Sequence, residues 1–330
     1  MLKVFYDTDA NLDVLKSKKI AIIGYGSQGR AQALCMKDSG LSVIIGVRKN
    51  GASWSLAKKD GMQVETISDA ARQADIIHIL IPDEVHGEVY KNEIEKHLNN
   101  KKTLAFSHGF SIVFSIIKPP KIVDVLMVSP RAPGIREREL FLKGSGVPCS
   151  IAVHQDYSGH AKETALAMAK ACGFTRIGAM ETTFENETIG DLFGEQAVLC
   201  GGVSELIKKA FETLVESGYP PEMAYLDCLY ELKLVVEIIC GGGLEHMWQK
   251  VSNTAEYGGR TRGKRIIDEE AKKRMKAILE EIKSGAFAKE WMDEYKKGLP
   301  KLKKMREDGK KHTIEKTGMK IRESLKKRSV

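Results

Sequence analysis

The 330-residue chain has no apolar run approaching the roughly 18 residues that a membrane-spanning helix requires, and its opening "MLKVFYDTDANLDVL" has no apolar segment behind a basic one. Neither an anchor nor a secretory leader is expected, and a cytoplasmic location follows. The six cysteines (Cys35, Cys149, Cys172, Cys200, Cys228, Cys240) form no CxxC pair and meet no histidine at zinc-finger spacing. That argues against a disulfide framework and a structural zinc site, and predicts reduced, mostly buried thiols. Interleaved aromatics are missing from the basic end of the chain. Residues 296–330 hold fourteen Lys/Arg against four Asp/Glu, a net of +10 that leaves the remainder near −2. Without rings to stack on bases, this stretch reads as solvated surface and not as a nucleic-acid site.

What is present is ample apolar material, 42% of residues, in a length that suits two domains. "KKIAIIGYGSQGRAQAL" runs from a short apolar strand into Gly24, Gly26 and Gly29 and then into a helix-forming stretch. This is GxGxxG between strand and helix, the context in which it binds a dinucleotide. The first Gly permits the tight turn, the second admits a pyrophosphate to the backbone, and the third lets helix pack on strand. Further strand-like runs at "LSVIIG", "IIHILIP", "TLAFSHG", "VLMVSP" and "SIAVH" alternate with helical or turn-rich stretches until about residue 181. The expected fold class is α/β: an N-terminal, doubly wound, largely parallel sheet over residues 1–181 and an all-α domain over 182–330. After the second of these strands the chain reads "VRKNGASWS", with no acid to accept a ribose 2′-hydroxyl. Arg48, Lys49 and Ser53 can instead donate to a 2′-phosphate, which favours NADP(H).

From Thr182 onward long helical patterns take over, notably 189–218 and 222–243. Each carries two acids four residues apart among apolar neighbours, Asp191 with Glu195 and Asp227 with Glu231. Like charges so placed repel on one helix face, and burying them unpaired costs far more, so positive charge must meet them. Four carboxylates converging from facing helices suit hard divalent cations, with two Mg²⁺ the natural candidates. His108 in "FSHGF" follows an apolar strand, where open α/β sheets place their ligands.

With "GYGSQGRAQA", "LIPDEV", "FSHGFSI", "SPRAPG", "TTFENETIGDLFGEQAVLCGG", "GYPPEMAYLDCLYELKL" and "SNTAEYGG", the chain resembles the short-form (class I) ketol-acid reductoisomerases along nearly its whole length. The resemblance implies a Rossmann-type N-terminal domain, a knotted helical C-terminal domain, and a homodimer or larger homo-oligomer. It implies Mg²⁺-dependent alkyl migration in 2-acetolactate or 2-aceto-2-hydroxybutyrate, then reduction by NADPH, in branched-chain amino-acid synthesis. Family roles fall on Asp191, shared by both metals, on Glu195 for one, and on Asp227 and Glu231 for the other. Ser252 is implied to contact substrate and His108 to be the active-site histidine. Tyr25, Gly26, Ser27, Gln28, Arg48, Ser53, Pro82, Asp83, Glu84, Val85 and Gly134 are implied to contact the cofactor.

The chain departs from the family pattern at four places. Asp227 replaces the usual Glu, Arg131 stands at the catalytic-site position of the usual Lys, Ile135 replaces a frequent His, and Gly51 replaces a frequent Ser. The alternatives are an NADP-dependent reductase of another 2-keto or 2-hydroxy acid without isomerisation, or a weakly catalytic dinucleotide-binding paralogue.

Overall fold

The run Lys19–Ile23 forms a strand whose last four residues are buried, as suits a strand covered on both faces. It is one of nine strands in the computed structural model, which describes residues 3–326. These are β1 Val4–Phe5, β2 Lys19–Ile23, β3 Ser42–Gly46, β4 Gln63–Glu65, β5 Ile76–Ile79, β6 Thr103–Phe106, β7 Asp124–Pro130, β8 Cys149–Gln155 and β9 Ala179–Glu181. They lie in one sheet in the order β1-β9-β8-β7-β6-β5-β2-β3-β4. From β4 to β7 every neighbouring pair is parallel, and counted from β2 the order is the 3-2-1-4-5-6 of dinucleotide-binding sheets. The chain therefore switches winding direction between β2 and β5, opening a crevice at their carboxyl ends. Beyond β7 the pattern changes: β8 runs antiparallel to β7, and β1 antiparallel to β9.

Alternating side chains divide the core between the two faces of this sheet. Ile20 and Ile22 pack with Leu15, Cys35 and Met36, while Ala21 and Ile23 pack with Ile44, Ile77 and Phe106. A buried lysine finishes one of the covering helices. Lys102 Nζ donates to the carbonyls of Ala71, Arg72 and Ala74 at 2.7, 3.0 and 2.6 Å, satisfying the last turn of the helix Ile67–Gln73.

The chain divides into two compact units, residues 1–190 and 191–330. Phe184 is buried in the sheet core, which holds the first turns of the helix Phe184–Gly194 with the first unit. The described part of the second unit is helical throughout. One buried cluster there consists of Phe211, Ala224, Tyr225 and Ile314, and Met247, Ala271, Ile282 and Ala288 are buried elsewhere in the unit.

The two long helices expected there are not continuous α-helices. Each contains a π-helical turn, Glu195–Leu199 and Leu226–Tyr230, in which the N–H of Cys200 and of Glu231 reach back five residues to Glu195 O and Leu226 O at 3.0 and 3.1 Å. Such turns absorb one extra residue and collect at functional sites. Residues 226–239, apolar enough to suggest burial, contain no buried residue. The cysteines are all free thiols, but only Cys35, Cys149 and Cys172 are buried, and Cys200 and Cys240 are exposed. Among the described residues no helix is long and apolar enough to cross a membrane.

Candidate active site

The three glycines after β2 differ in what constrains them. Gly24 has φ +102°, and a Cβ there would lie 2.5 Å from Leu80 O, so turn and close packing both demand glycine. A Cβ on Gly29 would meet Gly24 O at 2.5 Å, because the helix Ser27–Asp38 starts directly against the loop. Gly26 is extended, and a Cβ there meets nothing within 4 Å of the protein. Room for a side chain that the protein does not fill, at a helix N-terminus, is what a pyrophosphate requires.

A second helix N-terminus adjoins this one. Gly134 opens the helix Gly134–Leu142, and a Cβ on it would be 2.3 Å from Ser27 O. Gln28 Nε2 donates to Ala132 O at 2.8 Å, clamping the two helix starts together. Arg48 is exposed just past β3, and Ser53 lies in the first turn of the helix Ala52–Lys59, which Gly51 caps. Past β5, Pro82 caps the helix Asp83–Val89, so Asp83, Glu84 and Val85 form its first turn. Asp83 and Glu84 suit that end of a helix dipole whether or not a ligand is near.

His108 follows β6, two strands from β2 and so about 10 Å across the sheet at the usual interstrand spacing. Its Nδ1 is 3.3 Å from Glu187 Oε2. Glu187 has no side-chain exposure; its Oε1 accepts from Ser129 Oγ at 2.7 Å and lies 3.6 Å from an Arg131 guanidinium nitrogen. Burial pushes the Glu187 pKa up, but His108, Ser129 and Arg131 outweigh it, and the carboxyl ends below its ordinary value. Arg131 also donates to Ser150 Oγ at 3.0 Å, so Ser150 and Glu187 both help to hold its guanidinium at the carboxyl end of β7. Gly109 lets this loop sit close: a Cβ there would be 2.2 Å from Thr188 Oγ1. A buried histidine supports the same loop, His86 meeting Ser111 Oγ at 2.8 Å and Ile81 O at 2.9 Å.

Asp191 is one turn beyond Glu187 on the same helix. Donor atoms of His108, Glu187 and Asp191 all lie within 4.8 Å of one another, and Glu187 Oε2 is buried without a well-aligned hydrogen-bond donor. This nitrogen and oxygen donor set fits a divalent cation. Among the described residues no such group of three close donors includes Glu195, Asp227 or Glu231, and all three are exposed. Ser252 is the N-cap of the helix Asn253–Ile266, its Oγ accepting from Ala255 N at 3.2 Å. Glu187 was not among the residues singled out from the sequence. Its signal was there, since Glu187, Asp191 and Glu195 recur at four-residue spacing on one helix.

A parallel sheet in dinucleotide-binding order, an open glycine loop at its switch point and a histidine–carboxylate cluster past β6 define a nicotinamide-dependent oxidoreductase. Residues 14–178 match the family described as acetohydroxy acid isomeroreductase, NADPH-binding domain, and residues 184–327 the family described as ketol-acid reductoisomerase, C-terminal domain. The chain belongs to the ketol-acid reductoisomerase family. It is 58% identical over 322 residues to the ketol-acid reductoisomerase (NADP(+)) of Methanocaldococcus jannaschii, covering 98% of both chains. It is 54% identical over 321 residues to the enzyme of that name from Methanothermobacter thermautotrophicus, covering 97% of this chain and 98% of that one. Among solved structures it is similar to an NADH-preferring ketol-acid reductoisomerase from an uncultured archean, with TM-score 0.94 and 50% identity over 97% of this chain and 98% of that one.

Proposed function

We propose that this chain catalyses the ketol-acid reductoisomerase reaction in branched-chain amino-acid synthesis, in the cytoplasm, with Mg²⁺ and NADPH. The substrate is 2-acetolactate or 2-aceto-2-hydroxybutyrate: an alkyl group moves from C2 to C3, and the resulting 2-keto acid is reduced to the 2,3-dihydroxy-3-methyl acid. The observation that carries this reading is the His108–Glu187–Asp191 cluster, on the crevice side of a sheet whose glycine loop leaves space for a pyrophosphate. Residues 1–181 hold NADP(H) through Gly24–Gly29, Arg48, Ser53, Pro82–Val85 and Gly134, and residues 182–330 carry Asp191, Glu195, Asp227, Glu231 and Ser252 for metal and substrate.

Asp191 and Glu195, with Asp227 and Glu231, would hold the Mg²⁺ ions, whose Lewis acidity favours the deprotonated 2-hydroxyl and polarises the neighbouring carbonyl. NADPH would supply the hydride. Glu187 fixes the His108 ring through Nδ1, and the histidine exchanges a proton with substrate oxygen. Arg131, tethered to Ser150 and Glu187, orients the substrate carboxylate. His108, Ser129 and Arg131 together keep Glu187 ionised against its burial.

A second copy of the chain completes the site. Exposed apolar side chains flank the acids that a single chain leaves outside the cluster: Val198 and Leu199 beside Glu195, and Tyr230, Leu234 and Val236 around Glu231. Such a face is a subunit interface in a homo-oligomer, and burying it brings these carboxylates against charge from the other copy. The test is NADPH oxidation by the purified chain with 2-acetolactate, with Mg²⁺ and with excess chelator. Turnover that vanishes with chelator is expected; NADPH binding without turnover under any divalent metal would overturn the reading.

A further inference from the structure

Beside the cofactor loop lies a charged network that the residues assigned above do not account for. Tyr25, buried between Gly24 and Gly26, donates its phenolic hydrogen to Asp60 Oδ2 at 3.0 Å. Arg30, in the first turn of the following helix, grips the same carboxylate in a fork, Nε to Oδ2 at 2.7 Å and a terminal nitrogen to Oδ1 at 3.0 Å. Two turns further along that helix, Lys37 Nζ donates to Gly61 O at 2.8 Å, so the helix Ser27–Asp38 is tied to residues 60 and 61 at two points. Asp60 caps the carboxyl end of the helix Ala52–Lys59. A carboxylate there opposes the helix dipole, so its partners and not its own helix explain the residue. Those partners hold it ionised, Arg30 above all, against the effect of burial.

The helix that Asp60 ends begins at the other phosphate site. Its eight residues span about 12 Å, with Ser53 in the first turn and Arg48 just before it. One end faces the place of a ribose 2′-phosphate, and the other is bonded to the pyrophosphate loop through Tyr25. We propose that Asp60 is a positioning residue that fixes the spacing between these two phosphate sites, and so sets how strongly NADPH is preferred to ligands that use one site alone. The proposal rests on the reading of Gly24–Gly29 as the pyrophosphate cradle.

The test is titration of the full-length holoenzyme-competent protein, with Mg²⁺ present, by NADPH and by 2′-AMP, which carries only the ribose phosphate. Asp60→Leu raises the Kd for NADPH about tenfold, the size expected for a lost hydrogen bond to a charged group. Tyr25→Phe raises it by less, since Asp60 keeps Arg30, and the double variant is no weaker than Asp60→Leu alone, since that substitution already removes the Tyr25 contact. Asp60→Asn, which keeps an acceptor for Tyr25, recovers most of the affinity. In Asp60→Leu the Kd for 2′-AMP and kcat at saturating NADPH stay within about twofold of wild type, since neither depends on the spacing. Equal weakening of 2′-AMP and NADPH, additive single effects, or an unchanged NADPH Kd in Asp60→Leu would each overturn the proposal. Gly26→Val separates this from failure of the underlying reading. A Cβ there meets no protein atom within 4 Å, so the backbone accepts a side chain, and retained NADPH binding in a variant that folds would remove the cradle itself.

Discussion

The two units of this chain bury their apolar residues to very different extents. In the first, Ile20, Ile22, Ile44, Ile76, Leu104 and Phe106 have no exposed surface, and the sheet is covered on both faces. In the second, Leu199, Leu244, Tyr257 and Ile266 are each more than 60% exposed, and far fewer residues are buried. The first unit is a finished hydrophobic object. The second carries the surface of a half-built one, and its acids lie on that surface. A dinucleotide can be recognised by loops of one chain, whereas on the reading proposed above a second copy supplies the burial that the exposed acids lack.

Three measurements sharpen or break this contrast. The largest effect is expected inside the first unit. Glu187→Gln removes the charge that orients His108, and kcat falls at least about 100-fold, as for loss of a general acid–base arrangement. NADPH affinity stays unchanged, since the glycine loop is untouched; steady-state kinetics and a cofactor titration separate the two. A next effect falls on the second unit. Leu234→Asp puts a charge on its exposed apolar face, where a monomer tolerates it. The variant sediments as a smaller species and loses turnover while still binding NADPH. An oligomer of unchanged size would show that this face is not the interface.

The smallest effect concerns Glu137, which is 1% exposed with neither carboxylate oxygen hydrogen-bonded. Burial pushes its pKa from 4.5 to about 8, so the folded chain keeps a proton that the unfolded chain releases. Stability from this group is therefore greatest below pH 4.5, declines as pH rises, and is flat above about 8. The slope reaches about 1.4 kcal/mol per pH unit between those limits. Buried His78, whose pKa burial lowers to about 3, acts in the opposite sense up to its ordinary value of 6.5, so the informative quantity is a difference. Glu137→Gln is expected to gain on wild type in urea midpoint as pH rises from 6.5 to 8. A constant difference would mean that the carboxyl does not titrate there.

Much of this was legible because the rules are local. The GxGxxG spacing states its own geometry, and the structure gives each glycine a separate reason: a left-handed turn at Gly24, open space at Gly26, a helix seat at Gly29. His108 was singled out because it follows an apolar strand, and ligands gather at the carboxyl ends of such strands. Strand direction was less visible. The apolar run of β8 reads the same either way, so nothing in "SIAVH" marked its antiparallel pairing with β7. The three-residue strands β4 and β9 are too short for a period to show. The π turns were hidden because one inserted residue barely disturbs an apolar pattern yet turns the face that follows. Glu187 escaped because a carboxylate's burial depends on Ser129 and Arg131, which only the folded sheet brings to it.

The close approach of Gly134 to Ser27 sets a mechanical tolerance. One methyl group at position 134 would have to displace backbone on the dinucleotide loop. The loop and the segment that leads from Arg131 into that helix therefore move as one part. Whatever tightens around the loop is transmitted, within less than the width of a carbon atom, to the end of β7, where Arg131 is proposed to orient the substrate.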